Sequence, residues 1–253
     1  MKRKNLLLIK TMHLIPLLIF AAGWEIAARL AGTPLFPPLS TVLQEFYVLL
    51  LPGGLLAHHF MASLIRVLAG FVMGSAAGLL LGILTGWNRI AERLLGPLAS
   101  VLYPIPALGW LPLLMLWVGI NEMLPILIVF ICSFFPIFYN TTTGIKSVDE
   151  RYIKAARVLG GSDSQILWRV VLPLALPNIF TGLKLEAGMA WRVIIAAEMV
   201  AIPTGIGVLL MKAESLIRVD IIMVCLLVLS LMCFSFERLF HYLETKFTCL
   251  WRS

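Results

Sequence analysis

The sequence predicts an all-α integral membrane protein of about six transmembrane helices, a single domain over residues 1–253. Three observations carry that expectation. Hydrophobic residues make up 60% of the chain and charged residues 13%, against about 25% charged in soluble domains. Apolar runs of about the 20 residues needed to cross a bilayer occur at roughly 11–31, 61–86, 96–118, 123–145, 174–201 and 219–242. Basic residues are sorted between the loops: Lys2, Arg3, Lys4, Lys10, Arg89, Arg93, Lys146, Arg151, Lys154, Arg157, Arg169, Arg238, Lys246 and Arg252 fall on one side, Lys212 and Arg218 on the other. The positive-inside rule then places both termini and the loop 146–173 in the cytoplasm of a multi-pass protein. That sorting also accounts for the net charge of +7, so no nucleic-acid partner is called for.

The first run follows Lys2-Arg3-Lys4, as a secretory signal would. Glu25 and Arg29 interrupt any cleavage region, so an uncleaved helix is predicted. Their i, i+4 spacing, acid first, favours an intrahelical pair. The second run is rich in glycine and alanine, as expected where helices pack closely in lipid. His58 and His59 precede it; neighbouring helical side chains diverge, which favours an interfacial role over metal binding. Prolines 104, 106, 112, 125 and 136 should kink or interrupt the third and fourth runs. Such breaks are tolerated where the freed backbone is buried in protein or lines a cavity.

The fifth run carries Lys184, Glu186, Arg192 and Glu198. Charge at bilayer depth is costly and faces a bundle interior or a water-filled path. Arg192 and Glu198 are candidates for lining or gating a path, with Lys184 and Arg66 as further candidates. Each also has a structural alternative: Lys184 snorkels to the interface, Glu186 pairs with it or with a neighbouring span, and Arg66 caps or pairs near the outer surface. Cys132, Cys225, Cys233 and Cys249 lie in spans or the tail, where structural disulfides are not expected, and their spacing makes no metal signature.

Between the fourth and fifth runs lies a polar, cationic island. Ser147 with Glu150, and Ser162 with Gln165, each have the spacing of a capping box, so two short helices are predicted. Gly160 or Gly161 supplies the left-handed residue that ends the first. Tyr152, Ala155, Ala156 and Leu159 fall at i, i+3, i+4 and i+7 and make one small-residue apolar face. Such a helix either docks into a partner or is a solvated loop. The chain has no G-x-x-x-x-G-K-[ST] loop, no H-E-x-x-H and no G-x-S-x-G, so neither P-loop ATP binding nor a protease or esterase activity is predicted.

Ala155-Ala156, Gly160 and Leu172-Pro173 resemble the E-A-A, G, L-P loop of membrane subunits of type I ABC importers. The resemblance extends over roughly residues 33–245. It includes Leu35-Phe-Pro-Pro38, Ser63-Leu-Ile-Arg66 with Gly70-Phe71, and Pro104-Ile-Pro106 with Trp110-Leu-Pro112 and Trp117-Val-Gly119. Phe135-Pro136 with Asn140-Thr141 and Gly144, and Ala197-Glu198-Met199 with Gly205-Ile-Gly207, complete it. Together these point to the nitrate, sulfonate, taurine and bicarbonate branch, which also includes permeases for thiamine-precursor pyrimidines.

The resemblance implies a type I importer permease fold in a bacterial inner membrane and a non-catalytic subunit with no cofactor of its own. ATP and Mg would belong to a partner. It implies a second copy of the permease, two cytoplasmic ATPase subunits and an extracytoplasmic solute-binding protein. Tyr152, Lys154, Ala155, Ala156, Leu159, Gly160 and Pro173 would form the ATPase-coupling loop. The solute would be a small anion such as a sulfonate, nitrate or bicarbonate, or a small heterocycle. One position departs from the pattern: Lys154 stands where the family has glutamate, which implies a partner ATPase with a compensating acidic group. The alternatives are a stand-alone secondary transporter or channel, which inverted repeats would support, and a membrane scaffold that recruits a cytoplasmic partner. No internal repeat is evident.

Overall fold

The computed structural model describes residues 2–51 and 54–249, with the side chains of residues 2–14, 201, 248 and 249 outside that description. Arg252 and the side chains of Lys2, Arg3, Lys4, Lys10 and Cys249 therefore lie outside that description. The described residues form eleven α-helices: α1 Lys2–Ala31, α2 Leu39–Leu50, α3 Leu55–Trp87, α4 Arg89–Leu102, α5 Leu111–Val118, α6 Met123–Lys146, α7 Glu150–Val158, α8 Asp163–Ile166, α9 Leu172–Ala201, α10 Ile206–Ser215 and α11 Val219–Cys249. A 3-10 turn, Ala107–Trp110, leads into α5, and a π-helical stretch, Leu167–Val171, joins α8 to α9.

At the centre lie α3, α6 and α9. Glycines 70, 74, 78, 82 and 86 recur every four residues along one face of α3, and that face lies against α6. A Cβ at Gly70 would sit 2.6 Å from the Ile126 carbonyl oxygen, and one at Gly86 would sit 2.9 Å from Ile145 Cβ. The two helices are thus parallel and touch backbone to backbone, the approach that small-xxx-small stripes allow. The antiparallel α9 packs on the other side of α6: Gly182 faces Asn140, and Gly144 faces Asn178. Val67, Phe71, Ala187, Trp191 and Ile194 join α3 and α9 to α11 through Val224 and Val228.

The six-span expectation is met in part: the described residues give four unbroken spans, or five if the bent third run counts as one, and the first run falls partly on side chains outside the description. Among the described residues, four helices are long and apolar enough to cross a membrane: α3, α6, the continuous stretch through α8 and α9, and α11. The third run is α4 beginning at Arg89, followed by Ala107–Val118, bent by 88°. Pro104 and Pro106 have no N–H to give the carbonyls of Ser100 and Leu102, so the helix cannot continue. Pro136, by contrast, sits inside an uninterrupted α6.

The polar island folds as two helices, with one cap reassigned. Ser162 and Gln165 form a reciprocal capping box at the start of α8. The Ser147–Glu150 box does not form: α6 runs on to Lys146 and takes Ser147 as its C-cap, where the Ser147 hydroxyl donates to the Gly144 carbonyl (2.8 Å). Asp149 caps α7 instead, accepting from the Arg151 backbone N–H at 2.9 Å. The bonds from Arg151 hold the Asp149 carboxyl below the usual carboxylate range.

Gly160 follows α7 at φ +84° with open space around its Cα. Gly160→Ala should therefore cost only the backbone term, about 1 kcal/mol. Amide exchange along α7 should rise by the corresponding amount, with α3 and α6 unchanged.

Candidate permease path and docking site

Arg66, Glu198 and Glu122 come together at the end of the bundle where α3 and α6 begin and α9 finishes. Arg66 Nη1 donates to Glu198 Oε1 (2.8 Å) and to the Thr204 carbonyl (2.7 Å). Its Nη2 donates to Glu122 Oε1 (2.8 Å) and Thr204 Oγ1 (2.7 Å), and its Nε donates to Glu122 Oε2. All five guanidinium N–H groups are used. Glu198 also accepts from the Ser63 hydroxyl (2.8 Å) and the Gly207 N–H (3.1 Å). His59 Nδ1 accepts from the Gly205 N–H at 2.9 Å, and Ser63 Oγ accepts from the Ile206 N–H at 2.9 Å. The glycines of Gly205-Ile-Gly207 thereby wrap the carboxylate. Arg66 is 3% exposed and Glu198 0%, so both act from inside the protein body rather than from an open surface.

A second feature runs along α4, α6 and α9. Leu174, Asn178, Thr181, Leu185, Met189 and Arg192 are exposed at successive three- and four-residue steps of α9, one continuous stripe. Arg192 makes a contact with the Met189 sulfur at 3.6 Å. Beside the stripe, a cavity of about 230 Å³ opens at the break after α4, lined by Tyr103, Pro106, Cys132, Phe135, Glu186 and Met189, among others. Toward the Lys146 end lies a larger cavity of about 740 Å³, lined by Arg89, Arg93, Ser100, Tyr139 and Lys146. Tyr103, with its ring 4.8 Å from that of Tyr139, stands between the two. Lys184 is half-buried and pairs with Glu244 at 3.5 Å.

The third feature is α7. Ile153 and Ala156 pack inward against a cluster of Ile145, Ile166, Val171 and Ala175. Tyr152, Val158 and Leu159 remain exposed, Leu159 by 87%, and Ala155 is exposed with them. The predicted face is therefore split: Ala156 seats the helix and the others point outward. Lys154 Nζ lies 2.8 Å from Glu150, one turn earlier. That bond raises the Lys154 pKa and lowers that of Glu150. Pro173 sits where the π-helical stretch passes into α9.

Residues 74–248 match the profile of the binding-protein-dependent transport system inner membrane component. The chain belongs to that family. The permease is 38% identical to a putative ABC transporter permease of Methanocaldococcus jannaschii, over 90% of this chain and 87% of the relative. It is 32% identical to the taurine transport system permease of Escherichia coli, over 91% and 86% of the two chains. It is 39% identical to the bicarbonate transport system permease of Synechococcus elongatus, over 72% and 68%. Its fold is that of the membrane subunit of an inward-facing methionine ABC transporter, MetNI, with a TM-score of 0.57 at 16% identity, covering 72% of this chain and 93% of that one. The permease is thus a multi-pass, non-catalytic subunit of an ABC importer in the nitrate, sulfonate, taurine and bicarbonate branch. ATP hydrolysis resides in a separate subunit, and a solute-binding protein is a partner of the family.

Of the path candidates, the structure joins Arg66 to Glu198 and keeps Lys184 and Arg192 apart from them. Glu122 was missed because it lies between runs, and Ser63 and Thr204 because a hydroxyl gives no charge signal. His59 is 4% exposed and accepts from the Gly205 N–H. Glu186 was expected to pair with a cation; its hydrogen-bond partner is Cys132 Sγ, at 3.5 Å.

Proposed function

We propose that this permease works as one of a pair, with both termini and the α7–α8 loop in the cytoplasm, two ATPase subunits docked on α7, and an extracytoplasmic binding protein delivering the solute. The observation that carries the reading is the outward face of α7, where Tyr152, Ala155, Val158 and Leu159 stand exposed among basic residues. Large apolar groups held in water by a capped helix suit burial in a partner's cleft. Ala156, Gly160 and Pro173 position that face, and Lys154 is paired with Glu150 of its own helix.

Closure of the ATPases would push α7, and through its packing on α9 would move the path between its two open states. Such a shift requires that nucleotide bind the two states with different affinity. The exposed stripe of α9, including Arg192, would line the path or face the second copy, with Lys184 near its cytoplasmic mouth. Arg66 and Glu198 would act from behind it, fixing α10 and the loop before it at the outer end. Relatives named for taurine, aliphatic sulfonates, nitrate and bicarbonate support a small solute, an anion or a small heterocycle.

Orientation has a direct test. A Ser162→Cys permease in intact cells should resist a membrane-impermeant maleimide and react after the membrane is opened. Efficient labelling in intact cells would refute the cytoplasmic placement of α7 and α8.

A further inference from the structure

Glu186 is 7% exposed and lies near the middle of the thirty-residue helix α9. Among the described residues no cation meets it: Arg66 is taken by Glu198 and Glu122, Lys184 by Glu244, and Arg192 contacts Met189. Its one recorded hydrogen bond is the weak donor Cys132 Sγ at 3.5 Å. A carboxylate at that depth without a counter-charge is costly, so either a proton or an incoming cation must neutralise it.

The surroundings favour an incoming ligand. Glu186 faces the 230 Å³ cavity at the break between α4 and the turn before α5. None of the side chains lining the cavity is basic, and its side-chain donors are the Tyr103 hydroxyl and the Cys132 thiol. Pro136 has no N–H, so the carbonyl of Cys132, also in the wall, loses its usual helical donor. Pro106, in the same wall, brings no N–H either. Tyr103 and Phe135, rings 6.5 Å apart and tilted by 49°, supply aromatic surface. A buried carboxylate and two aromatic rings suit a flat cation carrying N–H donors. An anion would meet the Glu186 charge with no basic side chain in the wall to offset it.

We propose that this cavity is a transit subsite of the permease, and that it selects a flat, N–H-bearing cationic solute, of the amidinium or protonated amino-heterocycle class, over an anion. The proposal rests on the importer reading above and narrows its solute. Glu186 takes the cationic edge, while Tyr103 and Phe135 take the ring face. Of the two solute classes the sequence leaves open, the cavity chooses the heterocycle.

The test reads the cavity directly. Alkylation of Cys132 by N-ethylmaleimide is followed by peptide mass spectrometry on the purified complex with its ATPase. Benzamidinium is the probe and benzoate its anionic counterpart. Benzamidinium should slow alkylation while benzoate at equal concentration does not. In Glu186→Gln the half-protecting concentration should rise at least about tenfold, the size of a lost charge-assisted bond. Equal protection by both probes, or unchanged protection in Glu186→Gln, overturns the proposal.

Protection absent in the native protein and present in Arg192→Gln also overturns it, since Glu186 would then be paired with Arg192 of a second copy. Protection absent from both overturns it as well. ATP-driven transport is measured separately on the same preparation. Loss of that activity with the benzamidinium contrast intact would count against the importer reading and leave the subsite standing.

Discussion

Arg66→Ala should leave almost no assembled permease in the membrane. The side chain is 3% exposed and all five of its donors are engaged, by Glu198, Glu122 and Thr204. Its removal strands the Glu198 carboxylate, itself 0% exposed, beside only Ser63 and the Gly207 N–H. Breaking one side of a buried ion pair costs about 3–5 kcal/mol, a large part of the 5–15 kcal/mol that holds a typical domain. Thermal unfolding of the purified complex should therefore shift sharply downward, or the variant should fail to purify as a complex. Arg66→Met with Glu198→Gln removes the orphan charge and should recover part of that loss. Glu122, 62% exposed, stays solvated in both. A wild-type melting temperature for Arg66→Ala would show that this network does not hold that end of the bundle.

Gly74→Leu should separate α3 from α6. A Cβ there would lie 2.6 Å from the Phe130 carbonyl oxygen and 3.1 Å from Ser133 Cβ. The first of these is backbone in mid-helix and has no rotamer to escape into. The remaining leucine atoms would have to fit a seam that holds backbone against backbone along its whole length. Overpacking of this kind costs about 1–3 kcal/mol or more, and here the upper end is expected because the nearest atom is backbone. The variant should be extracted as aggregate, whereas Gly96→Leu, with nothing within 4 Å of its Cβ position, should behave as wild type. Normal assembly of Gly74→Leu would mean the two helices do not pack along this glycine face.

The contrast between these features and the loop shows what the sequence can reveal. The Ser162–Gln165 box and the left-handed Gly160 were legible because each is decided within a few residues. The box at Ser147 was misread because α6 extends to Lys146 and consumes that serine as its own cap. The third run's prolines announced a break, but its 88° bend depends on tertiary packing. Arg66 and Glu198 were each visible as costly charges, yet they are 132 positions apart, and no local pattern pairs them. The suggested ion pair of Glu186 with Lys184 does not form. Residues two apart on a helix do not face each other, so Lys184 was never well placed to neutralise it.

The claim that α7 couples this permease to its ATPase is tested most directly at Leu159. That side chain is 87% exposed, so Leu159→Asp changes the outward face without disturbing the fold. The measurement is retention of the ATPase during purification of the reconstituted complex, with ATP-driven uptake read on the same sample. The permease should assemble with normal thermal stability, lose the ATPase on washing, and lose uptake by at least about tenfold, as expected when a charge replaces a buried apolar anchor. Full retention of the ATPase with unchanged uptake would contradict docking on this face and leave α7 a solvated loop helix.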